Sequence, residues 1–236
     1  MKRKQNEAKV RGRNVIASAN PQSPISEQYR VLRTNIQFSM IDKTLRTLAC
    51  TSATPGEGKS TTIVNLAVTF AQQGQRVLLV DGDLRRPVVH DMLGVSNRFG
   101  LTSLITKRAT METAIVSVPR IENLYVLPAG AIPPNPAELL GSKSMADLIQ
   151  ELALNFDLVL FDTPPVLAVA DAQIIGNRCD GALLVVKSHK VEKKELVRTK
   201  ELLEQANVSL IGTVLNEVNP KEMNHGAYYG YGYGQD

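Results

Sequence analysis

Three residues at the end of a glycine-rich stretch, Lys59, Ser60 and Thr61, are of types that bind nucleotide phosphates. Residues 53–61 read Ala-Thr-Pro-Gly-Glu-Gly-Lys-Ser-Thr, after an apolar run and before a helical pattern from Thr62 to Gln73. A glycine-rich turn between a strand and a helix directs several backbone N–H groups at one point, where the helix dipole adds positive potential. Lys59 would reach the β- and γ-phosphates and the Ser60 hydroxyl would ligate Mg²⁺. The pattern therefore predicts a nucleoside triphosphate site.

Carboxylates follow two further apolar runs. Residues 77–80 lead into Asp81 and Asp83, and residues 158–161 lead into Asp162. The carboxyl ends of parallel strands lie at the same edge of a sheet as a phosphate loop, and carboxylates there can hold Mg²⁺ directly or through water. Because Asp81 and Asp83 are two residues apart, they point the same way on an extended strand end. One of them can bind the metal while the other faces an incoming hydroxyl.

The elements that must position these residues alternate between apolar runs and helical patterns. Near-continuous apolar strands separated by helices favour an α/β fold of the P-loop NTPase type, with a mostly parallel sheet covered by helices on both faces. A long helix is expected over Pro136–Leu154, with Asn135 as its cap and Pro136 at its first position. The expected strands are Thr47–Thr51, Arg76–Val80, Leu124–Leu127, Leu158–Phe161, Ala182–Lys187 and Leu210–Leu215.

The 236 residues suit one such domain, which we place at residues 26–220. Ser26 is expected to cap its first helix. Residues 1–25 are read as an irregular, flexible basic segment. Its charges indicate either a solvated tail or attraction to an anionic partner, for which a membrane surface is favoured over nucleic acid. Residues 221–236 are read as a flexible tail, because alternating Gly and Tyr cannot build a core.

Composition limits the location and the partners. The formal charge of +4 is modest, and we expect no nucleic-acid partner. Cys50, expected in a buried strand, and Cys179, expected at a helix end, indicate a reducing compartment without disulfides. Since no apolar run approaches the length of a membrane span and no signal-peptide core follows the basic start, we expect a cytosolic protein.

The tail distinguishes between the enzymes that could use such a site. A phosphate loop with strand-end carboxylates could serve an ATPase, a GTPase or a kinase. Four tyrosines stand on a glycine-rich chain that could enter a cleft, namely Tyr228, Tyr229, Tyr231 and Tyr233.

Together these segments resemble the bacterial tyrosine autokinases of capsule and exopolysaccharide operons, the CpsD/CapB family. The resemblance covers nearly the whole chain. Besides the phosphate loop and the tail, it rests on four stretches: residues 26–36 (Ser-Glu-Gln-Tyr-Arg-Val-Leu-Arg-Thr-Asn-Ile), 80–87 (Val-Asp-Gly-Asp-Leu-Arg-Arg-Pro), 132–140 (Ile-Pro-Pro-Asn-Pro-Ala-Glu-Leu-Leu) and 160–165 (Leu-Phe-Asp-Thr-Pro-Pro).

The resemblance implies an ATP- and Mg²⁺-dependent protein-tyrosine kinase that phosphorylates its own tail tyrosines and regulates polysaccharide synthesis. It implies that Ser60 and Asp83 ligate Mg²⁺, that Asp162 supports the metal through water, and that Asp81 is the base accepting the tyrosine proton. Lys59 is implied to act on the transferred phosphate. The implied ATP-binding residues are Thr54, Pro55, Gly56, Glu57, Gly58, Lys59, Ser60 and Thr61, with Asn216 contacting adenine.

Partners are also implied by the resemblance. Glu27, Arg30 and Arg33 match a segment of the family implicated in ring assembly, although an exposed pair within one helix would contribute only about 0.2–0.5 kcal/mol. The family further implies a membrane adaptor of the polysaccharide co-polymerase type, which would recruit the cytoplasmic kinase to the inner face of the membrane, and a cognate tyrosine phosphatase.

Two alternatives remain open. One is an ATPase of the cell-division or plasmid-partition type, which shares the fold but has a signature lysine at the position of Thr54 and lacks a tyrosine cluster. The other is a non-catalytic scaffold that binds nucleotide to switch its assembly state.

Overall fold

The fold is a single seven-stranded sheet with helices on both faces. The computed structural model describes residues 15–39 and 44–219. The strands are β1 (Thr47–Ser52), β2 (Val77–Asp81), β3 (Val116–Ser117), β4 (Leu124–Leu127), β5 (Leu158–Asp162), β6 (Gly181–Lys187) and β7 (Leu210–Asn216). Their order in the sheet is β3-β4-β2-β5-β1-β6-β7, parallel throughout except for β3 against β4.

The helices in the described part of the chain are α1 (Ile16–Ala19), α2 (Pro24–Ser39), α3 (Lys59–Ala71), α4 (Val89–Leu93), α5 (Leu101–Ile105), α6 (Met111–Ala114), α7 (Pro136–Gly141), α8 (Lys143–Asn155), α9 (Asp171–Gly176) and α10 (Lys193–Gln205). None of them is long and apolar enough to cross a bilayer. Each of the six expected strands is present to within one residue at either end, and the expected fold class is confirmed.

Alternate strand residues separate the core into two layers. In β2, Leu78 and Val80 pack in one cluster with helices α5, α7, α8 and α9. Val77 and Leu79 pack in the other cluster, with α1, α2 and α3. The near-continuous burial of the central strands follows from this double cover, and it explains why their sequences are apolar without alternation.

The start of the domain differs from the sequence prediction. The structure has a helical turn, α1, within the segment expected to be irregular, and α2 begins at Pro24, so Ser26 lies inside the helix instead of capping it. The Ser26 hydroxyl bonds to the carbonyl of Asn20 at 2.6 Å, and the Ala17 N–H donates to Asn65 Oδ1 at 2.9 Å. These contacts bind the end of the basic segment to the domain, whereas residues 1–14 lie outside the described part.

The prediction of one long helix over Pro136–Leu154 was also wrong in one respect, because the structure has two helices there, α7 and α8. Asn135 and Pro136 begin α7 as expected, but the backbone is extended at Ser142, with ψ 159°. The Ser142 hydroxyl then accepts a hydrogen bond from the Met145 N–H and caps α8. The short β3, which has two residues, was not expected.

Candidate active site

The glycine-rich stretch forms a loop between β1 and α3, at the carboxyl edge of the sheet. Gly56 and Gly58 adopt left-handed backbone conformations, with φ 76° and 90°, which glycine takes at little cost. Gly58 is also the N-cap residue of α3. A Cβ atom on it would lie 2.1 Å from Nδ2 of Asn216, so both the backbone and the space demand glycine here.

The buried residue Glu57 holds this loop in place through hydrogen bonds. Its side chain is fully buried, and its carboxylate accepts hydrogen bonds from the Thr54 hydroxyl at 3.0 Å and from the Lys187 N–H at 3.2 Å. The Glu57 carbonyl accepts from Asn216 Nδ2 at 2.9 Å. The loop is therefore held to the ends of β6 and β7, and in this conformation Thr54, Glu57 and Asn216 brace it without lining the adjacent cavity.

Lys59 lies among the three oxygen groups that the sequence predicted as metal ligands. Its Nζ is 3.2 Å from Ser60 Oγ, 3.4 Å from Asp83 Oδ2 and 3.3 Å from Asp162 Oδ1. Burial alone would lower the pKa of Lys59, but the charges of Asp162 and Asp83 outweigh it and raise that pKa. The ammonium thus occupies the point at which one hydroxyl and two carboxylates converge.

A divalent cation suits this set of oxygens. Burial raises the pKa of Asp162, although Lys59 and the Ser60 hydroxyl partly oppose the effect. Within the described residues, Oδ2 of Asp162 is buried and makes no hydrogen bond, so a ligand could still satisfy it. In residues 15–39 and 44–219, no three acidic, histidine or cysteine side chains form a ready metal cage. Mg²⁺ does not need one, because it takes one or two carboxylates and completes its shell with water and phosphate.

Asp81 lies deeper than the sequence suggested. It is fully buried at the end of β2, and its Oδ2 accepts from the N–H groups of Val88 and Val89, both at 3.1 Å. Burial, and then the charge of Asp162, raise its pKa well above the ordinary value. A raised pKa suits a general base, but Asp81 does not line the cavity in this conformation, so its catalytic role stays a prediction.

The cavity beside the loop has a volume of about 490 Å³. One side is formed by loop residues, including Gly58, Lys59 and Ser60, together with Asp83. The remaining lining consists of residues that sequence reasoning did not assign: Arg85, Arg86, Val88, Pro164, Pro165, Ala168 and Val169. Four of these, the two arginines and the two prolines, stand in the stretches 80–87 and 160–165 that carry the family resemblance, but the sequence offered no signal of a role for them. The cavity can therefore accept both charged phosphates and an apolar ring.

The residues expected at an oligomer interface make contacts within the chain. Arg30 Nε donates to Glu27 Oε2 at 2.7 Å, in the same helix. Arg33 Nη1 donates to the Thr69 carbonyl at 2.9 Å and so joins α2 to α3. The assembly role of these three residues stays a prediction, and the tail tyrosines Tyr228, Tyr229, Tyr231 and Tyr233 lie outside the described residues.

Comparison with known proteins agrees with this geometry. The family model described as an AAA domain matches residues 45–211. The tyrosine-protein kinase YwqD of Bacillus subtilis (strain 168) is 50% identical over 218 residues, which cover 92% of this chain and 92% of the relative.

Solved structures are similar over most of the chain. The kinase domain of the Escherichia coli tyrosine kinase ETK matches with a TM-score of 0.84 and 35% identity, covering 94% of this chain and 84% of that one. The crystal structure of the chimerical protein CapA2B2 matches with a TM-score of 0.83 and 42% identity, covering 87% of this chain and 90% of that one.

The cell-division ATPases are similar to a lesser degree. The septum site-determining protein MinD of Pyrococcus horikoshii, solved with Mg-ADP, matches with a TM-score of 0.62 and 26% identity over 76% of each chain. This likeness supports the shared fold, and it is weaker than the likeness to the tyrosine kinases.

Proposed function

The chain belongs to the bacterial tyrosine-protein kinases, and we propose that it uses ATP and Mg²⁺ to phosphorylate its own tail tyrosines, Tyr228, Tyr229, Tyr231 and Tyr233. The observation that carries this proposal is the position of Lys59, which contacts Asp83 and Asp162 beside a phosphate loop and a cavity with an apolar side. A kinase needs phosphate-binding cations, metal ligands and room for an acceptor ring in one place. Residues of all three kinds lie here.

In the proposed reaction Lys59 leaves the two carboxylates and binds the terminal phosphates, while the backbone N–H groups of residues 56–61 cradle them. Ser60 and Asp83 would hold Mg²⁺ directly, and Asp162 would support it through water. The bound metal would supply positive charge against the charge that develops on the transferring phosphoryl group. Asp81 accepts the proton of the tyrosine hydroxyl, for which its raised pKa makes it suitable.

We further propose that this activity regulates capsule or exopolysaccharide synthesis, in partnership with a membrane adaptor that recruits the chain to the inner face of the membrane. The similarity to a chimerical protein, CapA2B2, supports the participation of a second polypeptide. Asn216 is proposed to contact adenine, and its position against the phosphate loop is compatible with that role.

The experiment that tests the proposal measures phosphotyrosine by mass spectrometry after incubation with Mg-ATP, with and without the cytosolic tail of the adaptor. We expect modification of the tail tyrosines in the wild type and its loss in Lys59→Met. Lys193→Met, which removes an exposed charge at the start of α10, is the matched control and should behave as the wild type.

Two results would contradict the proposal. Phosphotyrosine at wild-type levels in Lys59→Met would exclude this loop as the catalytic site. Hydrolysis of ATP without any phosphotyrosine in the presence of the adaptor tail would favour the partition-type ATPase, and binding without hydrolysis would favour the scaffold.

A further inference from the structure

Two adjacent arginines, Arg85 and Arg86, line the same cavity as Lys59 but make different contacts. Arg85 Nε donates to Asp171 Oδ2 at 2.8 Å, and its Nη2 donates to Oδ1 at 3.1 Å. Asp171 is fully buried at the start of α9. A bidentate pair with a buried carboxylate fixes the guanidinium in one place. Arg85 therefore holds the segment after β2 to α9, and its charge is already neutralised.

Arg86 has an exposed side chain that forms no ion pair with any carboxylate in the described ranges 15–39 and 44–219. Its backbone is nevertheless fixed, because its N–H donates to Asp83 Oδ1 at 3.0 Å. The other oxygen of Asp83 is 3.4 Å from Lys59 Nζ. One carboxylate thus connects the backbone of Arg86 to the ammonium of the phosphate loop. The Cα atom from which the Arg86 side chain extends is therefore held beside the cavity.

The acidic groups around the cavity favour a further cation beside Lys59. Lys59 lies between two carboxylates, Asp83 and Asp162, and Asp81 adds a third acidic group close by. Phosphoryl transfer spreads negative charge over the oxygens of the moving group, and enzymes of this class stabilise that charge with Lys, Arg and Mg²⁺. A guanidinium is suited to this task because it is always charged and its N–H groups match two phosphate oxygens at once.

We propose that Arg86 is a further catalytic residue, which contacts the phosphoryl group while it is being transferred, whereas Arg85 stays paired with Asp171. This inference rests on the proposed kinase function. In the step concerned, the tyrosine oxygen forms a bond to the γ-phosphorus while the bond from that phosphorus to the β–γ bridging oxygen breaks. The tyrosine proton passes to a carboxylate and ADP leaves, while Arg86 stays protonated throughout.

The test compares binding of a ground state with binding of a transition-state mimic. Fluorescent mant-ADP with Mg²⁺ is titrated alone and then with fluoroaluminate, which imitates the phosphoryl group in flight, in the presence of the adaptor tail. For Arg86→Gln we expect mant-ADP affinity within about 2-fold of the wild type, and loss of most of the gain that fluoroaluminate produces. The rate of phosphotyrosine formation at saturating ATP should fall about 10²-fold or more, with little change in KM.

Two further variants make the result specific. Arg86→Lys keeps the charge but loses the paired donors, so it should recover part of the fluoroaluminate gain. Arg108→Gln removes the same charge from an exposed position that does not line the cavity, and it should behave as the wild type.

Equal fluoroaluminate gains in Arg86→Gln and Arg108→Gln would overturn the proposal. So would a loss of mant-ADP affinity as large as the loss of the mimic, because Arg86 would then bind ground and transition states alike. If the wild type itself formed no phosphotyrosine, the proposed function would fail and this inference with it. An active wild type beside a fully active Arg86→Gln would refute the inference alone.

Discussion

Asp81 and Asp162 are register partners on the adjacent parallel strands β2 and β5, and within the described residues each has one buried carboxylate oxygen without a hydrogen-bond partner. Burial raises the pKa of both groups, and the charge of Asp162 raises that of Asp81 further. Crowded, poorly solvated carboxylates weaken the folded state, and among the described contacts the Lys59 ammonium pairs with Asp162 but not with Asp81. The site therefore lowers the free energy of unfolding of the nucleotide-free protein, and the same unpaired carboxylate oxygens favour the binding of a metal together with phosphate.

The first prediction is that Asp81→Asn makes the nucleotide-free protein more stable at pH 8. The folded chain holds the Asp81 proton to a higher pH than the unfolded chain, whose Asp pKa is about 3.9. Stability is thus lost as the pH rises from that value through the folded pKa, and it stays lower above it. An amide avoids this loss, so we expect a gain of about 0.5–2 kcal/mol at pH 8 and little at pH 4.

Urea unfolding at both pH values, without nucleotide, measures this difference. Asp147→Asn, at an exposed position of α8, should leave stability unchanged at either pH. A lower stability of Asp81→Asn than of the wild type at pH 8 would contradict the argument.

The second prediction separates the roles of Asp83 and Asp81. Asp83 lines the cavity and contacts Lys59, whereas Asp81 is buried and bonded to the backbone of α4. Asp83→Asn should therefore weaken Mg²⁺-dependent nucleotide binding about 10-fold or more, while Asp81→Asn should bind nearly normally and transfer phosphate slowly. Titration of mant-ADP at several Mg²⁺ concentrations, combined with single-turnover rates, measures both effects. Equal losses of affinity in the two variants would remove the support for Asp81 as the base.

Local patterns in the sequence were sufficient to predict most of the fold and part of the site. The apolar runs located β1, β2 and β5, and parallel topology placed Lys59, Asp83 and Asp162 at one edge of the sheet. In the structure the Lys59 ammonium lies within 3.4 Å of a carboxylate oxygen of each aspartate. Such residues are predictable because their positions follow from strand ends alone.

Other features depend on contacts between segments that are distant in the chain. The pairing of Arg85 with Asp171 spans 86 residues, and the hydrogen bond from Asn216 to the loop spans 159. The break at Ser142 results from one extended ψ angle in an otherwise helical pattern. The depth of Asp81 depends on how the segment after β2 turns back to donate from Val88 and Val89. Periodicity carries no information on these contacts.

The third prediction compares two glycines with similar backbone angles. Gly58 and Gly74 have φ of 90° and 86°, so an added side chain strains both by about 1–2 kcal/mol. Only Gly58 is also crowded, because a Cβ there meets the Asn216 amide, whereas none of the described atoms lies within 4 Å of a Cβ at Gly74. Gly58→Ala should therefore displace Asn216 and reduce ATP affinity about 10-fold or more, while Gly74→Ala should lose stability alone.

Fluorescence titration with mant-ATP and urea unfolding give the two quantities for each variant. Equal ATP affinities in Gly58→Ala and Gly74→Ala would show that the contact between Asn216 and the loop does not matter for binding. A further loss of affinity in the double variant Gly58→Ala/Asn216→Ala, compared with Gly58→Ala, would contradict crowding as the cause.

The last prediction concerns phosphorylation and assembly. Each phosphotyrosine carries about −1.5 to −2 charges, so modification of Tyr228, Tyr229, Tyr231 and Tyr233 would add roughly −6 to −8, which exceeds the formal +4 of the whole chain. A tail docked at a neighbour's site would face bound phosphates and the acidic groups of β2 and β5, so a modified tail should be expelled. We therefore expect the unmodified chain to form the larger assembly and the phosphorylated chain to dissociate.

Light scattering of both forms at equal concentration with Mg-ATP measures this change in molar mass, and high salt should reduce it where the charges are exposed. Replacing Glu27, Arg30 and Arg33 together by Ala should give a small species whether or not the tail is modified. Replacing Arg198 and Glu201, which form an exposed pair of the same kind on α10, is the matched control and should leave the assembly intact. If complete tail phosphorylation left the molar mass unchanged, charge repulsion at the neighbour's site could not be the switch.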